Sequence, residues 1–169
     1  MVERDQALFN RASLLSVDGT RIAELKTRAL TSPTRRFRLC LHATPEDAVQ
    51  EMIVVHCRDN YSRPHTHPVA VSILLLEGAL DILLFDDEGN VAERIELRPF
   101  GQDRPFVAHL KPGRWYMPVC RSPQAVFYEA KAGPFCPDET NRWAPWSPAE
   151  DDPAGIANYR RTLGLSELP

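Results

Sequence analysis

Arg63-Pro64-His65-Thr66-His67-Pro68 and, a little further on, Ser72-Ile73-Leu74-Leu75-Leu76-Glu77-Gly78 decide how this chain must fold. The second stretch is a short apolar run ended by Glu-Gly, the pattern of a buried strand. In the first, two histidines stand one residue apart between prolines. On a strand, alternate side chains point to the same face. His65 and His67 therefore project together, with their imidazole nitrogens close enough to share one ion. Imidazole is the commonest protein metal ligand and suits Zn, Cu, Fe and Ni.

Working outward, both flanks read as short strands. Upstream, Arg36-Phe37-Arg38-Leu39-Cys40-Leu41-His42 alternates strictly. Phe37, Leu39 and Leu41 share one face, and Arg36, Arg38, Cys40 and His42 the other. Thr44-Pro45-Glu46-Asp47 has the order of a short helical turn, and Gln50 to Cys57 reads as a strand. Downstream, Leu80 to Phe85 and Val91 to Leu97 flank the polar hairpin loop Asp86-Asp87-Glu88-Gly89-Asn90. Pro105 to Leu110 and Trp115 to Val119 flank Lys111-Pro112-Gly113-Arg114, a turn in which Gly113 supplies positive φ. Ala125 to Lys131 is the last long strand. Short strands at a spacing of roughly 8–12 residues indicate a sandwich or barrel. The expectation is an all-β jelly-roll β-barrel with His65 and His67 inside it.

Before the barrel, residues 1–16 show no period. Asp18 to Thr31 repeats Ile22, Leu25 and Ala29 at helical spacing, with Asp18 as cap and Ser32-Pro33 as stop. After it, Pro134 to Pro153 is rich in proline and carries Trp143 and Trp146, which read as packing anchors of an apolar strap. Ser147-Pro148-Ala149-Glu150 has the order of a helix start. The organisation expected is an N-terminal segment with one helix (1–35), a barrel (36–133) and a C-terminal strap packed on it (134–169).

A chain of 169 residues suits one domain. Net charge of −3 and no basic stripe give no reason to expect nucleic acid. No run approaches the ~20 apolar residues of a membrane span, and the charged N-terminus lacks a secretory apolar core. Cys40, Cys57, Cys120 and Cys136 form neither a zinc knuckle nor a disulfide framework, so a reduced, cytoplasmic setting is expected. Fifteen prolines against the usual ~5% favour strands and turns over a bundle.

From about Arg36 to Pro153 the sequence resembles the cupin superfamily, and within it the WbuC-type cupins. The likeness rests on Arg63 to Pro68, on Leu83-Leu84-Phe85-Asp86-Asp87-Glu88-Gly89, and on Lys111-Pro112-Gly113-Arg114-Trp115. Its most specific part is the tail, Glu129-Ala130-Lys131-Ala132-Gly133-Pro134-Phe135 with Ala144 to Pro153. The resemblance implies a small β-barrel, a divalent metal (Zn, Fe, Ni or Mn) and an association with surface polysaccharide synthesis. It also implies a homodimer, since such barrels often cover an edge strand with a second copy. Two departures weaken the metal. Val71 and Ser72 stand where a ligand Glu is usual, and Tyr116 where the second motif closes with His. Binding is then weak or absent.

Three functions stay open: a metal-associated cupin acting on a small, sugar-derived molecule, a metal-free epimerase- or isomerase-like enzyme using His as base and Tyr as acid, and a non-catalytic small-molecule-binding barrel. His65, His67 and Tyr116 are the catalytic candidates, and the same three the metal candidates. Arg38, Gln50, Arg63 and Tyr116 are the candidate ligand-binding residues, Arg being suited to carboxylate or phosphate. His42, His56 and His109 read first as residues that satisfy local partners. No residue names the substrate.

Overall fold

The structure is a computed structural model and describes residues 1–4, 6–136 and 141–165. In order along the chain lie β1 (Val2–Arg4), β2 (Ala7–Phe9), α1 (Gly19–Thr31), β3 (Arg36–Cys40), β4 (Val49–Cys57), β5 (His65–Thr66) and β6 (Val71–Glu77). They are followed by β7 (Leu80–Phe85), β8 (Val91–Leu97), β9 (Val107–Leu110), β10 (Trp115–Cys120), β11 (Gln124–Ala132), β12 (Arg142–Trp143) and α2 (Pro153–Thr162). One sheet has the order β1-β2-β3-β4-β11-β6-β9, the other β12-β5-β10-β7-β8. The molecule is the expected all-β jelly roll with few helices.

Alternation builds the layers. Ile73 and Leu75 of the first sheet and Leu80, Ile82 and Leu84 of the second are buried against one another between the sheets. Phe37, Leu39, Ile53, Val55 and Val126 take the opposite face of the first sheet, where Leu25 and Ala29 of α1 cover them. Fully burying a leucine such as Leu25 is worth about 1.5–3 kcal/mol, which is what holds α1 to the barrel. Asp18 caps this helix, its Oδ1 accepting from Arg21 N–H at 2.9 Å. On the outer face of the second sheet, Leu83, Phe85, Met117 and Val119 are covered by Trp146, Tyr159 and Leu165 of the tail. Gly113 has φ +78°, as its turn requires.

Three local readings are corrected. Residues 1–16 contain two strands: β2 pairs in parallel with β3 (Ala7↔Arg38, Phe9↔Cys40) and β1 pairs with β2. Strands of three residues are too short to show a period. Thr44 to Asp47 forms no helix. The Asp47 carboxylate accepts from Ala43 N–H (2.8 Å) and the Thr44 hydroxyl (2.9 Å), and such side-chain bonding competes with helix formation. Two cap-proline pairs follow one another in the tail, and α2 uses the second: Asp152 Oδ1 accepts from Gly155 N–H at 2.8 Å. Ser147 is occupied otherwise, donating to Ala144 O at 2.8 Å.

Candidate functional site

The polar face of β3 turns inward. Register sets Arg36 beside His56, Arg38 beside Val54 and Cys40 beside Met52 on β4. Beyond β4, Phe127 lies level with Val54, Glu129 with Met52 and Lys131 with Gln50. Facing this wall from the other sheet are His65, which pairs with Tyr116 of β10, and His67. Together they line a cavity of ≈ 330 Å³, with Trp143 and Phe135 also on its wall. That is the size of a small-molecule site.

His65 is fixed by its own chain. Its Nδ1 lies 2.8 Å from the Arg63 carbonyl; a carbonyl only accepts, so the hydrogen is on Nδ1 and the Nε2 lone pair is left for the cavity. Burial, helped by His67, pushes this imidazole down to about 3, so it is neutral. Its ring is 4.4 Å from that of Tyr116 and 5.0 Å from that of His67. His67, 4 % exposed, has Nε2 at 3.1 Å from the Tyr116 hydroxyl. Burial pushes the Tyr116 phenol well above its ordinary range, so it keeps its proton.

A carboxylate also enters the cavity, from β11. Glu129 Oε1 is 3.2 Å from Lys131 Nζ. Burial works against its charge, but Lys131 beside it more than offsets this and holds Glu129 below its usual range. Alternation along Ala125 to Lys131 puts Phe127, Glu129 and Lys131 on one face and so was the available signal. Two further histidines, His42 and His56, are expected first to satisfy local partners. His42 does so, its Nδ1 lying 3.1 Å from Glu51 N–H. His56 does not: among the described residues its Nδ1 has no hydrogen-bond partner.

The candidate ligand-binding residues divide. Arg38 and Tyr116 line the cavity. Gln50 lines it too, but its amide nitrogen donates to the Asp47 and Pro45 carbonyls at 2.7 and 3.2 Å, so it also holds the adjacent loop. Arg63 is not on the cavity wall. Its guanidinium donates to Ser147 Oγ (3.1 Å), Ala144 O and Ser147 O (both 3.3 Å), and it anchors the strap. His109 lies outside as well, bonded to Ser72 Oγ at 2.9 Å. Trp143 is corrected from packing anchor to cavity rim: it is 41 % exposed and sets its ring 5.6 Å from that of His65.

Comparison with known structures bears on the fold. A cupin 2 conserved barrel domain protein from Rhodopseudomonas palustris superposes with a TM-score of 0.50 at 15% identity, over 76% of this chain and 77% of that one. This chain has the cupin fold. Protein SO0799 from Shewanella oneidensis is similar too, with a TM-score of 0.52 at 11% identity over 73% and 75% of the two chains. In sequence, residues 17–97 match a domain of unknown function, DUF6016. No curated protein matches the chain.

The cupin fold implies a metal, and the donors here do not fit one. Among the described residues, no group of three or more His, Cys, Asp or Glu side chains could hold an ion together. His67 Nε2 is engaged by a phenol that burial keeps protonated. Val71 is packed in the inner core, while Ser72 bonds to the exposed His109, so neither position brings an acid to the histidines.

Proposed function

We propose that this cupin barrel binds a small, oxygen-rich organic molecule and moves a proton on it without a resident metal, with His65 as base and Tyr116 as acid. The observation that carries this reading is the fixed tautomer of His65. An imidazole whose Nδ1–H is spent on a carbonyl offers a lone pair of defined direction, and Tyr116 stands on the neighbouring strand. A C–H beside a carbonyl would give its proton to His65 Nε2. The carbonyl oxygen, gaining charge, would take the Tyr116 proton to give an enediol; His65 then returns its proton to the former carbonyl carbon while the Tyr116 phenolate takes the hydrogen of the neighbouring hydroxyl, giving the isomer with both groups restored. With the hydrogen on His67 Nε2, that group donates to the phenol oxygen and leaves the Tyr116 hydrogen pointing at substrate.

A base near pH 3 is weak, and efficient transfer needs a pKa nearer the working pH. The depression comes first from burial. Negative charge on the bound molecule offsets that and raises the imidazole. A WbuC-type affinity, with its association with surface polysaccharide synthesis, makes sugar-derived molecules the first class to try. A cytoplasmic location and a homodimer belong to the same proposal. Among the described residues no helix is long and apolar enough to cross a membrane.

The test is wash-in of solvent deuterium beside the carbonyl of keto-sugars and keto acids, followed by proton NMR. His65→Ala and Tyr116→Phe should each slow exchange by about 10²–10⁴-fold, and a strong chelator should leave it unchanged. Exchange that survives His65→Ala, or that chelation abolishes, rules this mechanism out. No exchange on any substrate leaves the barrel as a binding protein.

A further inference from the structure

We infer that the cavity holds a carboxylate of its ligand against Arg36 and His56, so that the molecule acted on is a small hydroxy or keto carboxylic acid oriented by that group. This rests on the cavity being the working site, and it adds which chemical class enters and which way round.

Arg36 and His56 are cross-strand neighbours on β3 and β4, and both side chains line the cavity. His56 is 4 % exposed. Its ring is fixed edge-on by Phe127, with centroids 5.0 Å apart and planes at 84°. Its Nδ1 lacks a partner among the described residues, and native interiors rarely leave such an atom unmatched. Arg36 presents five N–H donors. Its ion pair with Glu150 is 3.6 Å long, well beyond the ~2.7–2.9 Å of a charge-assisted hydrogen bond. A half-buried guanidinium and a buried imidazole nitrogen, both with hydrogen-bonding capacity to spare, thus stand side by side.

Positive charge is disfavoured on both side chains. Burial, with Arg36 beside it, pushes His56 down to about 3. Burial likewise depresses Arg36; Glu150 offsets this only in part, and Arg38 adds to the depression. An anion placed between them relieves both.

The rest of the wall sets direction. Glu129 is ionised beside Lys131 and lies level with Met52, about 13 Å along β4 from His56. It repels a second carboxylate, so the ligand's charge goes to the Arg36–His56 row and its uncharged oxygens toward the rest of the cavity. One guanidinium and one imidazole match the single charge of a carboxylate better than a dianionic phosphate.

Calorimetric titration of the full chain with D-glucuronate, its methyl ester, D-glucose and inorganic phosphate tests this, with glycolate and pyruvate as smaller carboxylates. A free carboxylate should bind, and the ester and D-glucose should bind about 10- to 100-fold more weakly. Arg36→Gln and His56→Phe should each lose a similar factor, with His56→Gln as the alternative should the phenylalanine variant not fold. The His56 nitrogen resonances should shift on adding the carboxylate. The inference is overturned if ester or D-glucose binds as well as the acid, if the variants bind like the parent, if phosphate binds more tightly, or if none of the three carboxylates binds at millimolar concentration. Carboxylate binding without proton exchange would refute the acid–base mechanism and leave this inference standing.

Discussion

His56 and His65 show how one residue type becomes legible or hidden. His65 is announced by its spacing to His67 and by the prolines around the pair. His56 sits in an apolar run, where a single histidine reads as satisfied, and its role depends on Arg36 arriving from another strand. Glu129 was hidden differently. It lies within a motif of the tail, but its meaning lies in the face it shares with Lys131 and in the histidines opposite, which only pairing of distant strands supplies. The buried imidazoles predict an acid sensitivity. Both are pushed from an ordinary 6.5 to about 3, so between those values the unfolded chain binds more protons than the folded one. Stability therefore falls as pH drops from about 6.5 toward 3, by up to about 1.4 kcal/mol per pH unit for each histidine. Urea unfolding between about pH 6.5 and 4.5, above most carboxylate titration, should show the decline, and His56→Gln should reduce its slope. A flat profile would mean that the imidazoles are not held neutral by burial.

Among the elements, the proline-rich tail carries two tryptophans with different duties. Trp146 packs on Phe85 with ring centroids 4.9 Å apart. A Cβ added at Gly89, where φ is +91°, would come within 2.7 Å of its ring. Trp143 instead belongs to β12, whose pairing with β5 lays it beside His65. Composition marks both as large apolar residues and cannot tell a packed ring from one on a cavity rim. Arg63 was misread for the same reason: a guanidinium next to the histidines is as able to hold the chain's own carbonyls as a ligand. Trp146→Ala should cost about 2–3 kcal/mol, less than a fully buried tryptophan, and Arg63→Ala about 1–3 kcal/mol through the carbonyls left unmatched. Trp143→Ala should stay within about 1 kcal/mol yet weaken ligand binding. Thermal melts of the three variants give the order, and a Trp143 variant as unstable as the Trp146 one would contradict it.

For the whole molecule, the layers were readable because alternation is local: Phe37 and Leu39 against Arg36 and Arg38, or Ile73 and Leu75 before Glu77-Gly78, state which face is buried. Which sheet each strand joins was not readable, since β4 and β11 pair across a long separation. The same limit applies to association. Each sheet has two edges, and an open edge invites pairing. On β8 the exposed residues include Glu93 and Arg94, a charged edge that discourages it. Val91 on β8 and Val107 on β9 are each 43 % exposed, but beside β9 Leu76 of the paired β6 and Phe100 are exposed apolar residues as well. The proposed homodimer should therefore form on the β9 side, burying more than about 1,000 Å² in total if it is stable. Sedimentation at tens of micromolar should give a dimer, and Val107→Lys or Phe100→Asp should shift it to monomer without lowering the melting temperature of the monomeric fold. A parent protein that is monomeric throughout that range would leave β9 as an edge protected only by its shortness.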